Sequence, residues 1–464
     1  MQRLTGLDAG FLYMETPTQH LHTLKIAVID PSTVPGGYSF ERVKEVLDQR
    51  LHLLPPFRRR LVEVPLGVHH PLWLEDPDFD LDHHVRRATL PAPGGPRELD
   101  ELISDVASYQ LDRRRPLWEV WVVEGLEGGH VGFVTKIHHC AADGVKAAEL
   151  LTNVLDAEPD APDPAPPEEP WRPERVPGRR ELLVRSLLAR LRQLVWLPGL
   201  LRRTVDGFRR VRQRRRSGAV SPPLPFSAPD LPFNGALTRR RLFASTSLPL
   251  AEVKDVKNAF GVTVNDVVLA LCASSLRRWL LDHDALPDRP LVAGVPVSTR
   301  APGETIAANS VSNLFTSIPV HEADPVERLR AIHEVMKGAK EQHNALGAEM
   351  LADWSELTPS RPFAAGVRVY SRLGLAERHR PPINLVISNV PGPTAPLYIA
   401  GARLSGIWSM GPILENVGLN ITVWSYLGEL NFGAVACPEA VPDLHRITDS
   451  LRDALAELKK AGKG

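Results

Sequence analysis

"VGFVTKIHHCAADGVKAAELLTNVL", Val131 to Leu155, changes its period in the middle. "VGFVTKIH" alternates as a strand does, whereas "DGVKAAELLTNVL" spaces its apolar residues as a helix does, with Asp143 in an N-cap position. Adjacent residues on an extended backbone point to opposite faces, so His138 and His139 do not both aim into one cleft, and one of them is structural. Three residues separate His139 from Asp143, and Gly144 allows close approach of the backbone. An imidazole at such a junction suits a general base acting on a hydroxyl or amine, while the acid organises the loop or holds an arginine. Taken alone, the pair also fits an ordinary half-buried histidine followed by a helix cap. His138, His139 and Cys140 diverge as neighbours and no second ligand cluster accompanies them, so no metal is expected. The other adjacent pairs, His69 with His70 in "GVHHPLW" and His83 with His84 in "LDHHVRR", lack the Asp-Gly sequel and are expected at strand edges or on the surface.

The chain around this junction falls into three parts. Residues 1–155 mix strand-like runs ("TLKIAVID", "WEVWVVEGL") with helical ones ("FERVKEVLDQRL", "ELISDVASYQL"), which predicts an α/β domain. Residues 156–232 form a linking region that opens with "DAEPDAPDPAPPEEP", where prolines and acids leave no apolar face. The helical run "ELLVRSLLARLRQLVWLPGLL" follows, with Leu183, Leu187, Leu191 and Leu194 on one face and Arg185 and Arg192 opposite. Such a helix either docks on its own protein or lies on an anionic lipid surface. Residues 233–464 predict a second domain of sheet and helices, with helices in "PLAEVKDVKNAFG" and "VNDVVLALCASSLRRWLLD", a buried strand in "RPLVAGVPVST", paired strands over "LSGIWSMGPILENVGLNITVWSYLGELNFGAVA" and a closing helix.

Composition narrows the functional classes. Lys plus Arg and Asp plus Glu are both 55, so no global basic field points to nucleic acid. Charge is nevertheless local: residues 171–217 hold 15 Arg against Glu174, Glu181 and Asp206. Three distant cysteines support neither a disulfide framework nor a CxxC zinc site, which predicts a reduced, cytoplasmic protein. No signal-like or membrane-spanning run is apparent, since Arg185, Arg190, Arg192 and Pro198 interrupt the most apolar helix. A G-x-S-x-G elbow is absent, so a covalent acyl-serine route lacks its usual mark.

The string "HHCAADG" fits HHxxxDG, and several strings accompany it in order: "LDAGFLYMET", "PLWEVWVVEGL", "NDVVLA", "VPVSTR" and "SNVPGP". Together they resemble the bacterial wax ester synthase/diacylglycerol acyltransferase family over nearly the whole chain apart from the linker. HHxxxDG alone is shared with nonribosomal peptide condensation domains, chloramphenicol acetyltransferase and plant acyltransferases; the combination is more specific. The resemblance implies two chloramphenicol-acetyltransferase-like domains of mixed sheet and helices with an interdomain tunnel. It implies an O-acyltransferase moving a long-chain acyl group from acyl-CoA, a co-substrate, to a fatty alcohol or diacylglycerol, with no metal or held cofactor and no acyl-enzyme. His139 would be the general base beside His138, Asp143 a structural acid with Arg300 as its candidate partner, and Asn265 a donor that polarises the carbonyl or places the acceptor. Glu15 would face the site, and Gly144, Asn389, Pro391 and Gly392 would shape the tunnel. Residues 171–217 would touch CoA phosphates, an anionic membrane or a lipid droplet, giving a cytoplasmic protein held peripherally on lipid. The alternatives are a condensation-type enzyme with carrier-bound donors and a non-catalytic lipid-binding protein.

Overall fold

The computed structural model describes residues 1–34, 36–141, 153–167, 173–216, 226–298, 311–346 and 349–463. Asp143, Gly144 and Arg300 lie outside the described residues, as does the helix expected after Asp143 up to residue 152.

Two six-stranded mixed sheets carry the architecture. The first runs, in spatial order, Tyr398–Ile399, Ala402–Met410, His22–Asp30, Val131–His138, Trp118–Glu124 and Val85–Thr89. The second runs Val311–Ile318, Leu291–Ser298, Leu385–Val390, Leu419–Tyr426, Glu429–Ala436 and Leu242–Pro249. A small three-stranded sheet joins Gln2–Arg3, Leu72–Glu75 and Arg59–Val62. The chain is therefore mixed α/β, and "VGFVTKIH" is an interior strand of the first sheet, paired with His22–Asp30 on one side and Trp118–Glu124 on the other.

Of the three strands in the stretch from Leu404 to Ala436, Leu419–Tyr426 and Glu429–Ala436 form the expected hairpin, but Ala402–Met410 leaves them and pairs with His22–Asp30. The hairpin turn explains the first fact, because Leu427 and Gly428 both have positive φ, the backbone twist that a two-residue hairpin requires. Pairing partners more than 370 residues away explain the second, which no local pattern encodes.

Helices fill the space around the sheets. Val264–Asp282 begins at a Thr263/Asp266 capping box and buries most of its length among the strands of the second sheet, with the closing helix Leu444–Ala461 packed beside it through Leu444, Ile447, Leu451 and Leu455. Helix Leu250–Phe260 ends at Gly261 in the left-handed conformation, a C-terminal stop that a side chain would strain. No single described helix is long and apolar enough to cross a membrane; the one bent pair with suitable composition, Leu250–Phe260 and Val264–Asp282, meets at 102° and supplies much of the core.

The basic segment forms two helices, Arg179–Leu194 and Leu197–Arg216, with Pro198 in the first turn of the second rather than beyond the end of the first. The side of the first helix that docks is not the leucine stripe. Leu182 and Ser186 are buried, Ser186 accepts from Arg3, and the Arg190 guanidinium donates to the carbonyls of Glu356, Leu357 and Thr358 at the end of helix Glu349–Glu356. Val184, Leu188, Leu191 and Val195 are left on the solvent side with Trp196; Leu191 is 60% and Val195 77% exposed.

Candidate active site at the end of the Val131–His138 strand

The strand ends where the histidine pair begins, and the two rings part as alternation requires. His138 pairs in register with His22 and is buried on one side of the sheet. His139 lies one step beyond the last strand residue, half-buried, its N–H donating to Leu21 O at 2.8 Å and its ring stacked on Phe11 at a centroid distance of 4.0 Å. Helix Gly6–Met14 places Phe11 there; Thr5 caps that helix by accepting from Asp8 N–H, and Gly6 touches the backbone of Ser355 so closely that a Cβ would clash at 2.2 Å. The motif "LDAGFLYMET" thus supplies the wall against which the base candidate stacks, a contact for which sequence spacing offers no signal.

Behind His139, a buried polar cluster holds the junction. Cys140 N–H donates to His138 Nδ1 at 3.1 Å, so the neutral ring carries its proton on Nε2, which faces Glu15 Oε2 at 3.7 Å. Glu15 receives the Arg113 Nε–H at 2.8 Å, and its other oxygen lies 3.5 Å from His22 Nε2. Burial, the largest single influence on Glu15, pushes its pKa up, but His138 and Arg113 together outweigh it and hold it at about 2. Burial drives His138 and His22 down, so both rings are neutral beside an ionised carboxylate. Glu15, expected to face the site, is turned toward His138 and Arg113.

Glu15, His22 and His138 are the one group among the described residues able to hold a metal ion, with ligand atoms within 4.8 Å of one another. The donor chemistry reads differently. A metal on His138 Nε2 would need the proton on Nδ1, where Cys140 N–H already donates, and it would compete with the Arg113 guanidinium for Glu15. The Glu15–Arg113 ion pair holds the cluster together, with the backbone N–H groups of Cys140 and Leu111 donating to His138 Nδ1 and His22 Nε2. Next to it Lys136 is fully buried, donating to Val106 O and Tyr109 O, with burial lowering it to about 7 against the pull of Glu119.

The PLW string is the brace on the other side. Leu117 O accepts from His138 N–H, and Trp118 donates from Nε1 to Phe57 O while stacking between Phe57 and His84. This corrects the expectation for the other histidine pairs. His84 is buried with Nδ1 on Trp118 O, and His70 is buried between Tyr13 Oη and Glu356 O; both are core supports, because each found an acceptor that only the tertiary fold provides.

From the second sheet, the ND and NVPGP strings meet. Asn265, in the first turn of helix Val264–Asp282, accepts from Asn389 Nδ2 at 3.3 Å, and Asn389 stands on the strand Leu385–Val390. Asp266, its neighbour, is committed to the helix cap and to His333. Gly392 N–H donates to Ser425 Oγ, and a Cβ there would lie 2.1 Å from Ser425 O, so only glycine fits that approach. Pro391 beside it is exposed. His22, Phe11 and Arg113 were not singled out by sequence reasoning; His22 and Arg113 come to the cluster through strand register and a loop 98 residues from Glu15.

The wax ester synthase/diacylglycerol acyltransferase catalytic domain profile matches residues 4–268, and the WS/DGAT C-terminal domain profile matches residues 307–459. A protein of Mycobacterium tuberculosis (strain CDC 1551 / Oshkosh) provisionally named diacylglycerol O-acyltransferase is 42% identical over 459 residues, covering 99% of this chain and 90% of its own. A second from the same strain, with the same provisional name, is 38% identical over 461 residues, covering 99% and 96%. Among solved structures, the wax ester synthase/diacylglycerol acyltransferase from Marinobacter aquaeolei VT8 superposes with a TM-score of 0.70 at 30% identity, covering 100% of both chains. The starter condensation domain of rhizomide synthetase, solved with C8-CoA and Leu-SNAC, shares the fold at 13% identity and a TM-score of 0.57, over 100% of this chain and 94% of its own. With the histidine junction, the paired asparagines and matches spanning both halves, the chain belongs to the wax ester synthase/diacylglycerol acyltransferase family and is an acyltransferase.

Proposed function

We propose that this protein transfers a long-chain acyl group from acyl-CoA to the hydroxyl of a fatty alcohol or a diacylglycerol by direct attack. His139 takes the hydroxyl proton as the oxygen bonds to the thioester carbonyl carbon; the tetrahedral intermediate then expels CoA thiolate, which recovers the proton from His139. The observation that carries this reading is the stacked, half-buried His139 at the strand end, backed by a cluster that fixes the orientation of its neighbour. Asn265 has its carbonyl oxygen occupied by Asn389, which leaves its own amide N–H groups to donate to the developing oxyanion. Asp143 organises the turn after His139 with Arg300 as its partner, while Gly144 and the Asn389 to Gly392 strand end line a channel between the halves that excludes water, so that ester formation outruns hydrolysis.

The helix Arg179–Leu194 serves as a peripheral lipid contact. Val184, Leu188, Leu191 and Val195 recur at helical spacing on its exposed side, flanked by Arg185 and Arg192.

The test is release of CoA thiol from palmitoyl-CoA with hexadecanol, and separately with diacylglycerol, in the wild type, His139→Ala and His84→Ala. Acceptor-dependent release, lost in His139→Ala alone, is the expected result; no release with either acceptor from folded wild type overturns the reading and shifts weight to carrier-bound donors.

A further inference from the structure

Lys25 occupies the middle of the His22–Asp30 strand, inside the six-stranded sheet, with Thr135 and Ser409 as its register partners. It is only 7% exposed, yet among the described residues no carboxylate pairs with it. Nζ makes one hydrogen bond, to Ser409 Oγ at 2.8 Å, and lies 4.3 Å from the centre of the Trp424 ring. Burial alone lowers its pKa to about 7. Two more buried donors stand close by without an acceptor: Trp424 Nε1 and Asn431 Nδ2, on side chains that are cross-strand partners. Buried donors are ordinarily satisfied, and a lone buried ammonium is costly, so a cluster of donors short of acceptors asks what would complete it.

The location answers in part. Strand alternation puts Thr23, Lys25, Thr135 and Ile137 on one face, opposite His22 and His138, and His139 is the next residue in that series. Thr23 and Thr135 are half-buried, although Leu24, Ile26 and Val134 on the other face are buried completely. The Lys25 face is therefore partly open at Thr23 and Thr135, with Phe133 and Ile137 buried on either side of Thr135. Thr135 precedes His139 by four residues, about 13 Å of strand. Trp424, on the far wall, pairs in register with Val390 next to Asn389, and Gly392 is anchored to Ser425. Alternation turns Asn389 to the other side of that sheet, so the donors approach the proposed channel through Val390 and the Gly392 turn, too far along the strand to serve the reacting carbonyl itself.

We propose that Lys25 and Trp424 form a subsite for a second oxygen acceptor of a substrate, an amide or ester carbonyl set back from the reacting centre. This rests on the acyltransferase reading. Two substrates carry such a group: the acyl-CoA, in the amides of its pantetheine arm, and a diacylglycerol, in its ester carbonyls. A plain fatty alcohol carries none. The subsite would thus discriminate between polar-bodied and wholly apolar ligands, at a cost in stability that the free protein bears.

The experiment is calorimetric binding to the full chain of three probes: S-hexadecyl-CoA, a thioether that cannot transfer its chain, diacylglycerol in detergent, and hexadecanol. Lys25→Met keeps the length of the side chain and removes the donor. The expected result is about tenfold weaker binding of S-hexadecyl-CoA or of diacylglycerol, as befits loss of a hydrogen bond from a charged donor, with hexadecanol unchanged and the melting temperature raised. Loss confined to the thioether assigns the subsite to the CoA arm; loss confined to diacylglycerol assigns it to the acceptor. Unchanged binding of all three, equal loss of all three, or a wild type that binds none overturns the proposal. Trp424→Phe, which keeps the ring and removes Nε1–H, is the second variant and decides the matter if Lys25→Met does not fold: a smaller loss on the same probe is expected, and no loss on any probe overturns the proposal. Binding needs no turnover, so a wild type that binds the thioether but releases no CoA from palmitoyl-CoA sinks the acyltransferase reading and leaves the subsite standing.

Discussion

At the scale of single residues, the two histidines of the pair have separable jobs, and their variants separate them. His139→Ala is expected to lower kcat/KM for CoA release about a thousandfold with little change in melting temperature, the loss typical of a missing general base. Glu15→Gln acts through stability. It leaves Arg113 facing a neutral amide in a buried setting and is expected to cost about 2 kcal/mol or more in denaturant unfolding. The sign with pH follows from the depressed carboxyl. Glu15 is held at about 2 against an ordinary 4.5, so its contribution is complete above about 4.5 and fades as pH falls toward 2. The gap between wild type and Glu15→Gln should therefore narrow in melts below pH 4; a constant gap would contradict the ion-pair account. Alternation alone made the divergence of His138 and His139 legible. The partners were not legible: His22 meets His138 through register across more than a hundred residues, and a one-residue slip would have put a different side chain there.

At the scale of elements, the helix Arg179–Leu194 is where amphipathic pattern and actual docking disagree. A wheel drawn from leucines groups Leu183, Leu187, Leu191 and Leu194, and of these Leu187 and Leu191 are exposed. It does not predict that one arginine, by donating to three carbonyls at the end of another helix, will turn a different side inward. Leu191→Asp together with Trp196→Asp is accordingly expected to leave the melting temperature nearly unchanged while weakening binding to anionic vesicles, measured by co-sedimentation. Deleting residues 172–216 should lower vesicle binding more than turnover of soluble short-chain substrates; equal losses would refute a mainly membrane-directed role. Helix positions elsewhere were readable because caps are local: Thr263 with Asp266, and Gly261 before them, mark the boundaries within a few residues of sequence.

At the scale of the whole molecule, the halves are fastened by polar groups as well as by apolar packing. Asp100, on helix Pro96–Ala107, accepts from the N–H and hydroxyl of Ser245 on the second sheet and meets His445 Nε2 of the closing helix at 3.1 Å. Burial pushes its pKa up to about 7, against the lowering effect of the Ser245 bonds. An acid raised above its ordinary 3.8 stays protonated in the folded chain after the unfolded chain has lost its proton, so its effect on stability becomes unfavourable as pH rises from about 4 to 7. Asp100→Asn should therefore gain melting temperature relative to wild type between pH 5 and pH 8, and a difference that shrinks over that interval would show the carboxyl to be ordinarily acidic.

The crossing of Ala402–Met410 into the first sheet also has a consequence during synthesis. The neighbour that covers the outer edge of the His22–Asp30 strand leaves the ribosome more than 370 residues after it. Throughout that interval the nascent chain carries an open row of backbone donors and acceptors, a template for pairing with the wrong partner. Fragment 1–167 expressed alone should accumulate in inclusion bodies, and co-expression with fragment 173–464 should return it to the soluble fraction, because the second piece brings the missing edge.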